Sequence, residues 1–250
     1  IEFGPQPHVR VTANGVPGSN ASVIRITETE LGIEHIYYLG QEVAYYLPSS
    51  LSGFDLDHQM QFNQIVATTD YAYRAQEYAF GWAPFNGATQ FMVVDVANDT
   101  TSVCGLAGNP VRLGWKLPTE SEPEGNCFNG LTETPWWGVF FHEIGHNFNY
   151  TVAFDQFARG SSWLAFGEVH ATYGAMWNLW AFRSCPTGLP GHVLTTMHQL
   201  WEMDRTIFFD HLAEYRLAGT NHEEFSGPEL NGMYYELFDE YGPKVLFDIL

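Results

Sequence analysis

A chain of 250 residues with 45% hydrophobic and 16% aromatic content carries enough apolar mass for one sizeable core, which excludes a disordered chain. Its 29 acidic residues face only 10 basic ones, and a formal net charge of -19 repels phosphate backbones and anionic lipid; no nucleic-acid partner is expected. No apolar run approaches the ~18 residues that span a bilayer, so no membrane insertion is expected either.

The opening IEFGPQPHV has neither Met nor a signal-like apolar core. It reads as a mature or trimmed chain whose targeting segment is not in view. From 8 to 50, HVRVTANG, SVIRITETE and HIYYLGQEVAYYLP mix β-branched and aromatic residues with turn signals at Asn14-Gly15, Pro17-Gly18 and Gly40. These are predicted strands, and a β-rich N-terminal segment is placed at 1–52. From Leu56 to Phe80 the period becomes helical, with Met60, Phe62, Ile65, Val66, Tyr71, Tyr73, Tyr78 and Phe80 three or four residues apart. TQFMVVDVAN (89–98) is the clearest strand, and a Gly-, Pro- and Glu-rich loop is expected from Cys104 to Asn129. Helices follow at about 135–149, 163–182, 192–217 and 228–250, the last broken near Gly242-Pro243. Strands first and helices afterwards point to α+β with segregated layers; 53–250 is assigned to the second domain.

Cys104, Cys127 and Cys185 make no CxxC spacing. Cys104 and Cys127 flank the loop and would staple it in an oxidising compartment, worth about 3 kcal/mol by loop entropy; three reduced thiols are the alternative. Asn20, Asn98 and Asn149 begin glycosylation triplets. Together with the acidity they favour a secreted protein.

The chemistry concentrates in TPWWGVFFHEIGHNFNY (134–150). Thr134 suits a helix N-cap and Pro135 the first helical position. Apolar residues cover nearly every face of the following helix, so its polar members need partners in a dry place. His142 and His146 stand one turn apart and project from the same side, with Glu143 rotated by one position. This is H-E-x-x-H, in which two neutral imidazoles bind Zn²⁺ and the glutamate is the general base. The alternative is a pair of hydrogen-bonded core histidines.

A catalytic zinc commonly takes three protein ligands. A third histidine at the spacing H-E-x-x-H-x-x-G-x-x-H is excluded, because Asn149 and Val152 hold the Gly and His places. The other source is SSWLAFGEVHATYGAMWNLW, where Glu168 stands on an otherwise apolar helix. Glu168 is the expected ligand. His170 is the competing one, or else a neighbour that orients a ligand.

HEIGHN followed by SWLAFGEV resembles the enhancin-like, mucin-degrading zinc metallopeptidases, a branch of the gluzincins. QFMVVDVANDTTSVCGLAGNPVRL upstream and YYELFDEYGPKVLFDIL downstream extend the likeness over about 55–250. The chain departs from the family pattern at Asn149 and in VHATYG after Glu168. The resemblance implies a zincin-like catalytic domain with a mixed sheet, an active-site helix and a C-terminal helical subdomain. It implies His142, His146 and Glu168 as ligands of one zinc, Glu143 as base and acid, and an edge strand near 90–97 that aligns the substrate. The expected function is a zinc-dependent endopeptidase acting on (O-)glycosylated, mucin-type proteins through a zinc-held water that Glu143 activates. The rivals are a non-catalytic glycan- or protein-binding module and a plain peptidase. For the developing oxyanion, Tyr173, His222, Tyr234 and Tyr235 are candidate donors. Trp136, Trp137, Trp163, Trp177 and Trp180 are read as core before sugar-stacking platforms. The Asn149 triplet, beside the metal helix, is expected to be unused.

Overall fold

The computed structural model describes residues 24–30, 33–95, 105–114, 135–149, 162–184, 191–219 and 227–242. The predicted strand at 8–15, the three cysteines, Asn20, Asn98 and the tail beyond 242 lie outside them.

Strands β1 (Ile24–Glu30), β2 (Ile33–Leu39) and β3 (Val43–Leu47) form an antiparallel meander. Two helices, α1 (Ser52–Asp57) and α2 (Gln59–Phe80), then carry the chain across to β4 (Gln90–Asp95). Such a crossover is what parallel pairing requires, and β4 runs parallel to β3, with Val43 opposite Gln90. β5 (Gly105–Leu106) and β6 (Val111–Gly114) complete a six-stranded mixed sheet in the order β1-β2-β3-β4-β6-β5. The remaining helices are α3 (Pro135–Asn149), α4 (Ser162–Ser184), α5 (Gly191–Ala218) and α6 (Gly227–Tyr241). The class is α+β, as the order of predicted elements suggested, and the sheet runs across the boundary expected at residue 52.

Two corrections follow from the sheet order. The strand read at 89–98 is not an edge: β4 lies between β3 and β6, and the described edge on that side is β5. The segment read as loop from Cys104 holds β5 and β6. GLAGNPVRLG offers few consecutive β-formers, and its pairing comes from partners far along the chain rather than from local preference. The predicted helix over 56–80 is two helices, with the chain breaking step at His58 (φ -119°, ψ 23°), whose ring stacks on Phe54 at 4.1 Å.

The α2 stripe Phe62, Ile65, Val66, Thr69 and Tyr73 is buried, whereas Met60 and Tyr78, on the same predicted period, are exposed. Tyr38 stacks on Phe62 at 5.2 Å, and the Tyr45 hydroxyl meets Thr69 Oγ1 at 2.8 Å. Asp70 fixes the β2–β3 turn. Its carboxylate accepts the main-chain N–H groups of Gln41, Glu42 and Val43 at 2.6, 2.9 and 2.8 Å. A Cβ at Gly40 would lie 2.3 Å from Asp70 Oδ2, so only glycine lets the turn approach this closely. Burial pushes the Asp70 carboxyl up, against the pull of the three N–H groups. At the β1 edge of the sheet, buried Asp55 of α1 takes Arg25 Nε at 2.6 Å and the Tyr38 hydroxyl at 2.8 Å, which ties β1 and β2 to the helical layer.

Helices α5 and α6 pair on the outer side of α4. Gly232 lets them close, since a Cβ there would sit 2.5 Å from the Phe208 carbonyl oxygen. Tyr235 packs against Trp201 at 5.0 Å and Phe208 at 6.0 Å. Asp204 faces the same interface, and burial pushes its carboxyl from 3.8 up to about 6. The folded chain therefore holds that proton more tightly than the unfolded one. This contribution is full below pH 3.8 and is lost as pH rises through about 6. Asp204→Asn is expected to stabilise the protein by about 1–2 kcal/mol at neutral pH and by nothing near pH ~4, as read from urea unfolding at the two pH values.

Candidate metal centre

Among its described side chains α3 is largely buried, with Phe140, Phe141, Ile144 and Phe148 all at or below 1% exposure. Its apolar shell is shared with α2 and α4: Phe141 stacks on Phe182 at 5.5 Å, and Phe148 meets Tyr73 at 5.2 Å. Gln76 of α2 donates to the Phe141 carbonyl at 3.1 Å, one residue before His142. The helix is thus fixed in both translation and rotation by large rings and one amide.

Against that setting His142 and His146 are half-buried and stand side by side, their ring centroids 4.6 Å apart and their planes at 89°. Glu143 is 7% exposed and faces the opposite neighbour, the edge strand β5. A Cβ on Gly105 would lie 2.5 Å from Glu143 Cγ and 2.7 Å from Oε1, so the strand passes over the carboxylate with no side chain between them. The sequence-predicted base and the two predicted imidazoles are therefore on one helix, with the base directed at a sheet edge.

Helices α3 and α4 touch backbone to backbone. A Cβ on Gly145 would be 2.6 Å from the Ala171 carbonyl oxygen, and one on Gly174 would be 3.1 Å from Gly145 Cα. This contact brings Thr172 Oγ1 to 3.2 Å from His142 Nδ1. Residue 168 stands one turn before Thr172 on α4, on the face that α4 turns to α3. The side chains of Glu168 and His170 lie outside the described ones. Among the described residues no three His, Cys, Asp or Glu side chains form a metal-sized group.

A second element of the site carries no motif. Asn147, 1% exposed and adjacent to His146, donates Nδ2 to Gln90 Oε1 at 2.7 Å and to the Gly108 carbonyl at 2.9 Å. Its Oδ1 accepts the Gly108 N–H at 2.8 Å. Gln90 Nε2 donates to the same carbonyl at 3.0 Å, while Asn109 Oδ1 accepts the Phe91 N–H at 2.9 Å. The three amides clamp the β5–β6 turn to α3 and so determine where Gly105 passes Glu143. The only sequence signal for them is a polar residue, Asn147, amid the apolar helix. Gly105, Gly145 and Thr172 had no signal of their own.

The proposed oxyanion donors divide. Tyr173 and Tyr235 are core residues, 1% and 0% exposed, and burial pushes both phenols well up. Tyr234 is half-buried and edge-on to Tyr173 at 5.4 Å; His222 lies outside the described residues. Trp177 is core, as expected, and donates Nε1 to the Ala75 carbonyl at 2.7 Å. Trp180 leans on Trp177 at 5.2 Å, and the side chains of Trp136, Trp137, Trp163 and Asn149 lie outside the described ones.

No family model matches this chain, and neither a curated protein nor a solved structure is significantly similar to it.

Asn147→Ala removes the partner of Gln90 Oε1 and of the Gly108 N–H in a buried place. It is expected to cost about 2–3 kcal/mol by chemical denaturation, and to loosen the β5–β6 turn first, seen as faster amide exchange at Gly108.

Proposed function

We propose that the chain is a zinc-dependent endopeptidase of gluzincin type, with a zincin-like catalytic domain. The observation that supports it most is the placement of one helix. α3 presents His142 and His146 as neighbouring rings and sets Glu143 against an edge strand, while α4, which carries Glu168, lies in backbone contact with it.

The donor set fits the metal. Two imidazole nitrogens and one carboxylate suit a borderline-soft divalent ion, and Thr172 Oγ1 stands 3.2 Å from Nδ1 of His142. In this reading His142, His146 and Glu168 hold the ion. Zinc, when bound, supplies Lewis-acid polarisation of water and of the scissile carbonyl.

The chain's own residues do the rest. Glu143 accepts a proton on its carboxylate from the attacking water and returns it to the leaving amine nitrogen. Its burial behind β5 keeps it from being solvated on all sides, and the missing side chain at Gly105 is what lets the strand pass this close to the carboxylate. Among the described residues β5 pairs on one side only, with β6. In this reading its other edge offers main-chain N–H and C=O groups on which an extended peptide would align as an added strand beside Glu143.

Mucin-type glycoproteins as substrates follow the resemblance carried by HEIGHN and SWLAFGEV, and the strongly acidic composition accords with work outside the cell. Glu143→Ala is expected to retain one zinc per chain by metal analysis and to lose at least about a thousandfold in cleavage rate; retained proteolysis would overturn the mechanism. An O-glycoprotein is expected to be cut in the absence of chelator and its deglycosylated form left intact. Equal cutting of both would favour a plain peptidase, and cutting of neither a binding module.

A further inference from the structure

The contact between Thr172 and His142 carries a consequence for the zinc reading, on which it rests. A hydroxyl at 3.2 Å from Nδ1 admits two proton arrangements. In one, Thr172 donates, Nε2 keeps the ring proton, and the atom on the imidazole's far side has no lone pair for a metal. In the other, Nδ1–H donates to Thr172 Oγ1 and the ring's lone pair sits on Nε2.

We infer that Thr172 is a positioning residue for His142: its hydroxyl accepts the Nδ1 proton and holds the ring in the tautomer and orientation that present Nε2 to the ion.

Three features of the contact support this. First, His142 is half-buried on a helix whose nearby Phe141 and Ile144 are fully buried, and the Thr172 hydroxyl stands within hydrogen-bond distance of its Nδ1. Second, the helices meet at backbone distance at Gly145 and Ala171, so the partner must be short. Threonine reaches the ring from the next residue along α4, at 3.2 Å. Third, threonine on a helix is confined to two χ1 positions, and here its oxygen takes the one that faces the ring. A neutral hydroxyl also leaves the imidazole without the extra negative charge that a carboxylate partner would add.

The test uses the whole chain with isotope-labelled histidine. Two-bond proton–nitrogen NMR of the metal-free protein at alkaline pH reads the tautomer of His142, identified by a His142→Gln control. Zinc affinity is read separately by competition with a chromophoric chelator. The wild type is expected in the Nδ1–H form, and Thr172→Ser is expected to keep both that form and the affinity. Thr172→Val and Thr172→Ala, which lack the hydroxyl, are expected to lose the preference and to bind zinc 10- to 100-fold more weakly, the effect usual for a ligand's orienting partner. Thermal melts of each variant show that the fold persists.

Wild-type affinity in both hydroxyl-free variants overturns the inference, as does an unchanged tautomer in them. A wild-type chain that takes up no zinc overturns the proposed function instead. The metal-free tautomer then still decides the Thr172 contact.

Discussion

The backbone contact between α3 and α4, where Gly145 meets Ala171 and Gly174 with no side chain on either glycine, governs most of what surrounds it. Two helices in backbone contact have little freedom to slide or rotate, because a single added methyl has nowhere to go. That contact sets the distance between the H-E-x-x-H helix and the helix that bears Glu168. It also explains why a residue as short as Thr172 reaches His142. Had either glycine been alanine, the helices would stand further apart and the two halves of the proposed zinc site with them.

The other side of α3 is held by different means. Rings from α2 and α4 enclose Phe141 and Phe148, and Gln76 reaches the Phe141 carbonyl. Towards the sheet, Asn147, Gln90 and Asn109 form a buried amide network in which each group meets an opposite number. Buried amides are worth their desolvation only when satisfied, and these are satisfied by main-chain groups of a particular turn. The result is directional: β5 is pinned over Glu143 and cannot drift along the helix. The helix thus has apolar packing on its α2 and α4 sides and hydrogen-bonded placement towards the sheet. The second feature gives the carboxylate a defined neighbour.

Much of this was legible beforehand and some was not. The α+β class followed from the order of strand-like and helix-like stretches, and the long helices at 59–80, 135–149 and 191–218 followed from their periods. The strand at 90–95 was visible as an apolar run, but its place in the sheet was misjudged: a run of that kind marks a strand buried on both faces, which suits the centre it occupies better than an edge. β5 escaped notice because two residues, one of them glycine, carry no period at all. Met60 and Tyr78 fit the helical stripe of α2 by spacing yet face solvent, because spacing says which residues share a face but not how far the covering layer extends.

For the site itself, the sequence by itself determined the pairing of His142 with His146 and the separate direction of Glu143, since one turn of helix dictates both. It also made Glu168 the foremost candidate for the third ligand, an acid on an apolar helix. Only the tertiary structure decided what those residues meet: Gly105 over Glu143, Thr172 at His142, Asn147 locked to the β5–β6 turn. The reason is physical. Helical geometry is a property of neighbours in the chain, and a motif records it. The contacts that orient a motif join residues 30 to 57 positions apart, and they depend on clearances of a few tenths of an ångström that no local pattern encodes.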